Sequence, residues 1–96
     1  MKSSNEAVHS FIKLEKLIKS IANRRRIAIV AFLKRREDAT VGTLAEHLHL
    51  SFKATSKHVN VLYVSELLER EQKSSEMHYR LAPAPHTLIK HLRDLL

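Results

Sequence analysis

Hydrophobic residues recur at helical spacing as far as Leu67, and this pattern predicts a succession of helices. The first predicted helix spans about residues 6–21, with lysines on one side and a wide apolar stripe on the other: Val8, Phe11, Ile12, Leu14, Leu17, Ile18 and Ile21. A second helix begins after Asn23, a suitable N-cap. Its pattern predicts burial of Ile27, Val30 and Ala31, with Ile29 and Leu33 nearby.

The next segment predicts two helices joined by a tight turn. A short helix that follows Thr40 or Val41 carries its apolar residues inward, namely Leu44, Ala45 and Leu48. Three residues, HLS, separate it from a longer helix that has Ser51 as its N-cap. A short helix, a turn and a longer helix in succession are typical of a helix-turn-helix, whose second helix can lie in the major groove of DNA.

Beyond Leu67 the hydrophobic period changes from helical to alternating. Two alternating runs flank Ser74 and Ser75 and predict a β-hairpin. Prolines in the run APAP, residues 82–85, precede a final helix over about residues 86–96, which carries Leu88, Leu92, Leu95 and Leu96 on one face. No repeat or internal linker divides the chain, so we expect residues 1–96 to form one domain, mainly α with a small β-hairpin.

Composition and charge narrow the function classes. The chain has 17 Lys and Arg against 10 acids, a net charge of +7, which suggests either a polyanionic partner or membrane headgroups, or only a solvated basic surface. No apolar run approaches the roughly 20 residues of a membrane span, and the first residues do not resemble a secretion signal. Cysteine is absent, which fits a cytoplasmic location. Phosphate-binding loops, HExxH and nucleophile motifs are also absent, so we expect neither an enzyme nor a cofactor.

The longer helix of the predicted helix-turn-helix has an outward face without acids. If Thr55, Val59 and Leu62 pack inward, the opposite face gathers Lys53, Ser56, Lys57 and Asn60, with His58 at its margin and Ser51 at its start. Lysines neutralise phosphates, while Ser and Asn can bond to base edges. We therefore predict that these residues bind DNA, the alternative being a merely solvated face.

Further basic residues lie in the hairpin and at the start of the second helix. Lys73, His78 and Arg80 are predicted to face outward and to contact phosphate or the minor groove. Arg70 lies between two glutamates, so an ordinary surface ion pair is at least as strong an expectation as a contact with DNA. The arginines 24–26 are unfavourable at a helix N-terminus, so either an anionic partner relieves them or they extend into solvent.

The order and residues of these elements resemble the ArsR-type winged-helix repressors, over about residues 18–81. The resemblance rests on the combination of LAEHL, LS, SKHV, a later LL, and YRL at the end of the hairpin. It implies a winged helix-turn-helix in which the hairpin is the wing. Three places depart from the family pattern: His49, Ser65–Glu66 and Ser74–Ser75 stand where the family usually has glycine or alanine-glycine. Phe52 stands where the family often has glutamine.

Many relatives sense metal ions, yet the ligands of both common versions of that site are missing. Thr40 and Gly42 occupy the positions of a cysteine pair, and Pro83 and Pro85 occupy those of an Asp-His pair after the wing. What remains are loose groups, namely His86 with His91 and Asp94, and His47 with His49. We expect these histidines to be structural or solvent-facing, with no metal bound; whether any other inducer acts stays open.

The terminal helices are more apolar than one small domain requires. We predict that Phe11, Leu14 and Ile18 pack with Leu88, Leu92 and Leu95 about a twofold axis to form a homodimer, the alternative being that both helices fold onto their own core. Such a dimer would set its recognition helices about 34 Å apart, so the operator should be an inverted repeat.

The function predicted from these features is a sequence-specific, double-stranded DNA-binding transcriptional regulator, a repressor that acts by operator occupancy. One alternative is a winged-helix module that binds an acidic protein partner. Another is peripheral membrane association through the basic first helix.

Overall fold

A computed structural model describes residues 4–84 and 87–96, and its elements follow the predicted order. In chain order they are α1 (Ser4–Ile21), α2 (Arg24–Arg35), α3 (Val41–Leu48), α4 (Phe52–Val64), β1 (Leu68–Lys73), β2 (Glu76–Leu81) and α5 (Thr87–Asp94). The strands form an antiparallel hairpin that pairs Leu68 with Leu81 and Lys73 with Glu76. The winged helix-turn-helix architecture is therefore confirmed.

Side-chain caps fix where the three middle helices begin. Asn23 accepts hydrogen bonds from the backbone N–H groups of residues 25 and 26, as its position predicted. Thr40 accepts from the N–H of Thr43, and Ser51 accepts from that of Ala54 at 3.0 Å. Each cap satisfies N–H groups that the first helical turn leaves without an internal partner.

Three turns contain a non-glycine residue in the left-handed region, at the places where the sequence departs from the family pattern. The φ angles are 54° at His49, 64° at Glu66 and 55° at Ser74. At His49 and Glu66 the backbone closes a helix end with the hydrogen bonds of a Schellman motif, from Leu50 to Ala45 and from Leu67 to Leu62. A side chain in this conformation costs about 1 kcal/mol relative to glycine, so each of these three positions carries a local cost.

The core contains one face of every helix and the start of β1. Its fully buried side chains include Ile29, Leu44, Val59, Leu62, Leu67 and Ile89.

Two predicted faces need correction. In α2 the buried residues are Ile29, Val30 and Leu33, while Ile27 is exposed and Ala31 half-buried. The apolar run IAIVAFL fits several helical registers, and the packing of α3 and α4 against α2 selects one of them.

In α5 the buried residue is Ile89, which the leucine pattern had concealed. Leu92 and Leu96 pack beside it, whereas Leu95 is exposed.

The hairpin is attached to the helices at its middle. Ala39, in the connection between α2 and α3, exchanges backbone hydrogen bonds of 3.0 and 2.8 Å with Tyr79 of β2. The Tyr79 ring also meets Tyr63 of α4 edge-on, with centroids 6.3 Å apart. These contacts fix the wing relative to the helix-turn-helix. In the described part of the chain, no helix is long and apolar enough to span a membrane.

Candidate nucleic-acid interface

The candidate recognition helix, α4, packs against the core with one face and exposes the other to solvent. Thr55, Val59 and Leu62 are buried, as predicted, and the Thr55 hydroxyl donates to the Ser51 carbonyl at 2.9 Å. The opposite face, which we call the α4 polar face, consists of Lys53, Ser56, Lys57 and Asn60. Its lysines and its asparagine are exposed and its serine is half-buried, so the structure brings these predicted residues together.

The α4 polar face carries the positive charges of Lys53 and Lys57. Within residues 8–84 and 87–96, neither Lys53 nor Lys57 forms a salt bridge. The first turn of α4 contains no acid, and Ser51 stands exposed at its N-cap. The partial positive charge of the helix N-terminus therefore adds to that of the lysines, an arrangement that favours an anion.

His58 is turned away from this face toward α2. Its Nδ1 lies 3.2 Å from the Nη1 of Arg26. Burial lowers the pKa of His58, and the charges of Arg26 and Arg25 lower it further. Because the arginine can only donate, His58 accepts this hydrogen bond as a neutral ring.

Arg26 is a connecting residue that the sequence did not single out from its neighbours. Its guanidinium donates to the carbonyl of Ser20 and, at 3.2 Å, to that of Lys19, both in the last turn of α1. It therefore joins α1, α2 and α4, while Arg24 and Arg25 are exposed. Neither alternative from the sequence, an anionic partner or free solvent, describes Arg26.

The wing residues that were predicted to bind DNA all contact acids. Lys73 forms a salt bridge with the Oδ2 of Asp38, and the Nδ1 of His78 lies 3.3 Å from the other oxygen of that carboxylate. Arg80 donates to Glu69 at 2.7 Å and to Glu71 at 3.0 Å. The predicted residues do lie along the wing surface, but the charges of Lys73 and Arg80 already have acidic partners.

Arg70 does not form the ion pair that its sequence neighbours suggested, because Glu69 and Glu71 bond to Arg80 instead. The guanidinium carbon of Arg70 lies 4.1 Å from the centre of the Tyr63 ring. A hydrogen bond with Tyr79 is the main cause of its raised pKa. Arg70 therefore attaches the hairpin to α4.

The residues predicted for a dimer interface fall into two groups. Phe11, Ile18, Leu88 and Leu95 are 67%, 41%, 37% and 81% exposed in the single chain. Leu14 and Leu92 are half-buried, and Leu92 packs against the core of its own chain.

The histidines that could serve a metal site are dispersed. No cluster of three or more His, Cys, Asp or Glu side chains suited to a metal ion occurs among the described residues. His47 lies against the Phe32 ring, with centroids 4.5 Å apart, and His91 is exposed. Pro85 and His86 lie outside the described residues.

Comparison with solved structures finds close relatives of the whole chain, although no family model and no curated protein matches it. Reduced HlyU from Vibrio cholerae N16961 is 30% identical, with a TM-score of 0.77 over 95% of this chain and 92% of that one. The transcriptional regulator HlyU from Vibrio vulnificus CMCP6 is 26% identical, with a TM-score of 0.72 over 95% and 91%.

A more distant structure shares the fold. Mb0332 from Mycobacterium bovis is described as a homodimeric winged helix-turn-helix DNA-binding domain and a possible ArsR-family regulator. It is 20% identical, with a TM-score of 0.79 over 98% of this chain and 80% of that one.

Proposed function

Since the chain belongs to the ArsR-type winged-helix transcriptional regulators, we propose that it binds double-stranded DNA sequence-specifically and represses transcription by occupying an operator. The family is one of DNA-binding regulators and not of enzymes. A bound operator blocks access of the polymerase, so occupancy alone suffices for repression. We propose that the protein is located in the cytoplasm, where such a regulator has access to DNA.

The α4 polar face is the observation that carries this proposal. Lys53 and Lys57 supply positive charge for phosphates, while Ser56 and Asn60 supply donors and acceptors for base edges. Because the buried face of α4 holds the helix against the core, this outward face is presented as a fixed surface. A helix of 13 residues without an acid in its first turn suits the major groove.

A homodimer is the assembly that we propose, through the exposed apolar residues of α1 and α5. Phe11, Ile18 and Leu95, which directly follows α5, form part of a larger exposed set that also includes Val8 and Ile12 of α1. Soluble monomers rarely leave so many large apolar side chains in water. Twofold pairing would bury them and place two α4 helices about 34 Å apart, one turn of DNA, on an inverted-repeat operator.

The DNA proposal is tested by selecting bound sequences from a random duplex pool. We expect enrichment of an inverted repeat whose half-sites are about one helical turn apart. On the selected site, the logarithm of the affinity should fall with the logarithm of salt concentration with a slope near −0.9 per phosphate contact. A pool that stays random, together with binding to an acidic protein, would favour the interaction-module alternative.

The dimer is tested separately by sedimentation of the unaltered protein and of the double variant Phe11→Glu/Leu95→Glu. Both side chains are exposed in the single chain, so their replacement should leave the fold intact and yield a monomer that binds DNA weakly. Leu92 is a poorer choice because it also packs into the core of its own chain. An unaltered protein that is monomeric at tens of micromolar would contradict both the dimer and the inverted repeat.

A further inference from the structure

One carboxylate, that of Asp38, bonds to both strands of the wing. Asp38 lies in the connection between α2 and α3, and its side chain is 20% exposed. One of its oxygens accepts from Lys73, the last residue of β1, and the other lies 3.3 Å from His78 of β2. The next residue, Ala39, is hydrogen-bonded to Tyr79, so the backbone holds Asp38 beside the hairpin.

The groups around Asp38 favour the ionised form of its carboxylate. The ionised carboxylate in turn holds the ammonium group of Lys73. The hydrogen bond from Lys73 is the main cause of the lowered pKa of Asp38, and the same bond raises the pKa of Lys73. Glu71 and Glu37 add negative charge near Lys73, and Glu76 lies 4.0 Å from His78. The Lys73 side chain is still 45% exposed, so a phosphate can reach it.

A phosphate that approaches Lys73 must therefore either displace Asp38 or share the ammonium group with it. Sharing brings two anions close together, and displacement leaves the carboxylate without its partner. Either way the wing binds a phosphate less strongly than an unpaired lysine would. Lys53 and Lys57 of the α4 polar face carry no such cost, because neither forms a salt bridge with the described residues.

We propose that Asp38 competes with the phosphates of the DNA backbone for Lys73. In the free protein its carboxylate holds Lys73, and this weakens the attraction of the wing for phosphates. The inference rests on the proposed DNA-binding function. Because phosphates are the same in every sequence, Asp38 lowers affinity for all duplexes alike. Its effect is to restrain nonspecific binding and leave discrimination to the α4 polar face.

The test compares Asp38→Asn with the unaltered protein on the selected site and on random duplex. The amide has the shape of the carboxylate but no charge, so Lys73 becomes available to phosphate. For a dimer with two wings, we expect tighter binding to both duplexes by the same factor and a salt slope steeper by up to about 1.8. The gain should consequently shrink by roughly tenfold between 50 and 200 mM salt.

Three further replacements separate competition for Lys73 from a general charge effect. In a Lys73→Gln background, Asp38→Asn should give little further gain, because the contested cation is gone. Glu15→Gln serves as a charge-matched control: it removes one acid from α1, where Glu15 lies 3.7 Å from Lys19, and should not reproduce the gain. Asp38→Ser is a second uncharged replacement, and circular dichroism is the check that each variant is folded.

The outcomes are distinct. Tighter binding by Asp38→Asn that depends on Lys73 supports the inference. Weaker or unchanged binding would mean that Asp38 only positions the wing, and a gain that persists in Lys73→Gln would mean a nonlocal charge effect; both overturn it. Failure of the unaltered protein to bind any duplex would instead overturn the proposed function, and this inference with it.

Discussion

The α4 polar face and the wing are both basic, but the structure leaves their charges in different states. Lys53 and Lys57 form no salt bridge with any described residue. In the wing, Lys73 is paired with Asp38, and Arg80 with two glutamates. A count of basic residues therefore does not locate a DNA-binding surface; what matters is whether each charge already has a partner in the free protein.

The difference originates in the local sequence. Residues 51–65 contain no acid, whereas residues 68–81 contain three glutamates. The hairpin register places Glu69 opposite Arg80 and Glu71 opposite His78, so acids and bases face each other across the strands. Such cross-strand pairs stabilise a short hairpin. The same pairing reduces the charge that the wing can offer to a phosphate.

This comparison predicts that DNA affinity falls most when the two lysines of α4 are removed. Lys53→Ala/Lys57→Ala removes four phosphate contacts from a dimer. At 0.15 M salt this corresponds to roughly a thousandfold weaker binding, with a salt slope shallower by about 3.6. Fluorescence anisotropy with the selected duplex across a salt series measures both quantities.

Lys73→Ala provides the other half of the comparison and should weaken binding by less than about tenfold, since Asp38 already holds that charge. Lys13→Ala/Lys16→Ala on α1 is the control for loss of two positive charges. Equal losses from the wing and from α4, per lysine removed, would contradict the distinction between paired and unpaired charge.

A smaller effect concerns discrimination among sequences. Ser56→Ala or Asn60→Ala should each cost about 1–3 kcal/mol on the selected site if a base contact is lost. Binding to random duplex should change little. Equal losses on specific and random DNA would show that these side chains do not read bases, and the sequence preference would then have to come from elsewhere in the interface.

The sequence predicted the fold well because its local signals agree with one another. Helical spacing, two capping side chains and the change to period two give the element order, and the structure confirms Asn23 and Ser51 as caps. The α4 polar face could also be predicted, because residues three and four apart share one side of a helix.

Contacts between distant parts of the chain could not be predicted in this way. The Asp38–Lys73 bond spans 35 residues and the Arg26–His58 contact spans 32, and no periodicity encodes either pair. The buried face of α2 also depended on its neighbours, because its apolar residues nearly surround the helix. The left-handed backbone at His49, Glu66 and Ser74 could not be predicted either, because none of these residues is glycine.

His58 of α4 lies beside the positive charge of Arg26, whereas His78 of the wing lies beside the carboxylate of Asp38. The position of His58 predicts a pH effect on stability. His58 faces Arg26, and its pKa in the folded protein lies below the ordinary histidine value of 6.5. The unfolded chain therefore takes up a proton that the folded chain resists. As pH falls below 6.5, the free energy of unfolding should decrease, and this contribution levels off below the pKa of the folded state.

Urea denaturation between pH 8 and pH 5 measures this effect. His58→Gln should have a flatter pH profile than the unaltered protein, and His91→Gln, which removes an exposed histidine of α5, is the matched control. A His58→Gln profile that falls as steeply as that of the unaltered protein would show that the contact with Arg26 does not control acid stability.

The smallest effect concerns the aromatic contact that joins the two regions. Tyr63 of α4 meets Tyr79 of the hairpin edge-on and also lies under the Arg70 guanidinium. Tyr63→Leu should lower the free energy of unfolding by about 1 kcal/mol, because an aromatic pair is stabilised beyond the area it buries. Tyr63→Phe keeps the ring and should lose much less. Urea midpoints at an unchanged slope measure stability, and the same samples serve for DNA titration.

Because the wing offers little unpaired charge, a slightly loosened hairpin should weaken DNA binding by less than about threefold. A tenfold loss in Tyr63→Leu, absent from Tyr63→Phe, would instead show that wing orientation contributes to binding as strongly as the lysines of α4.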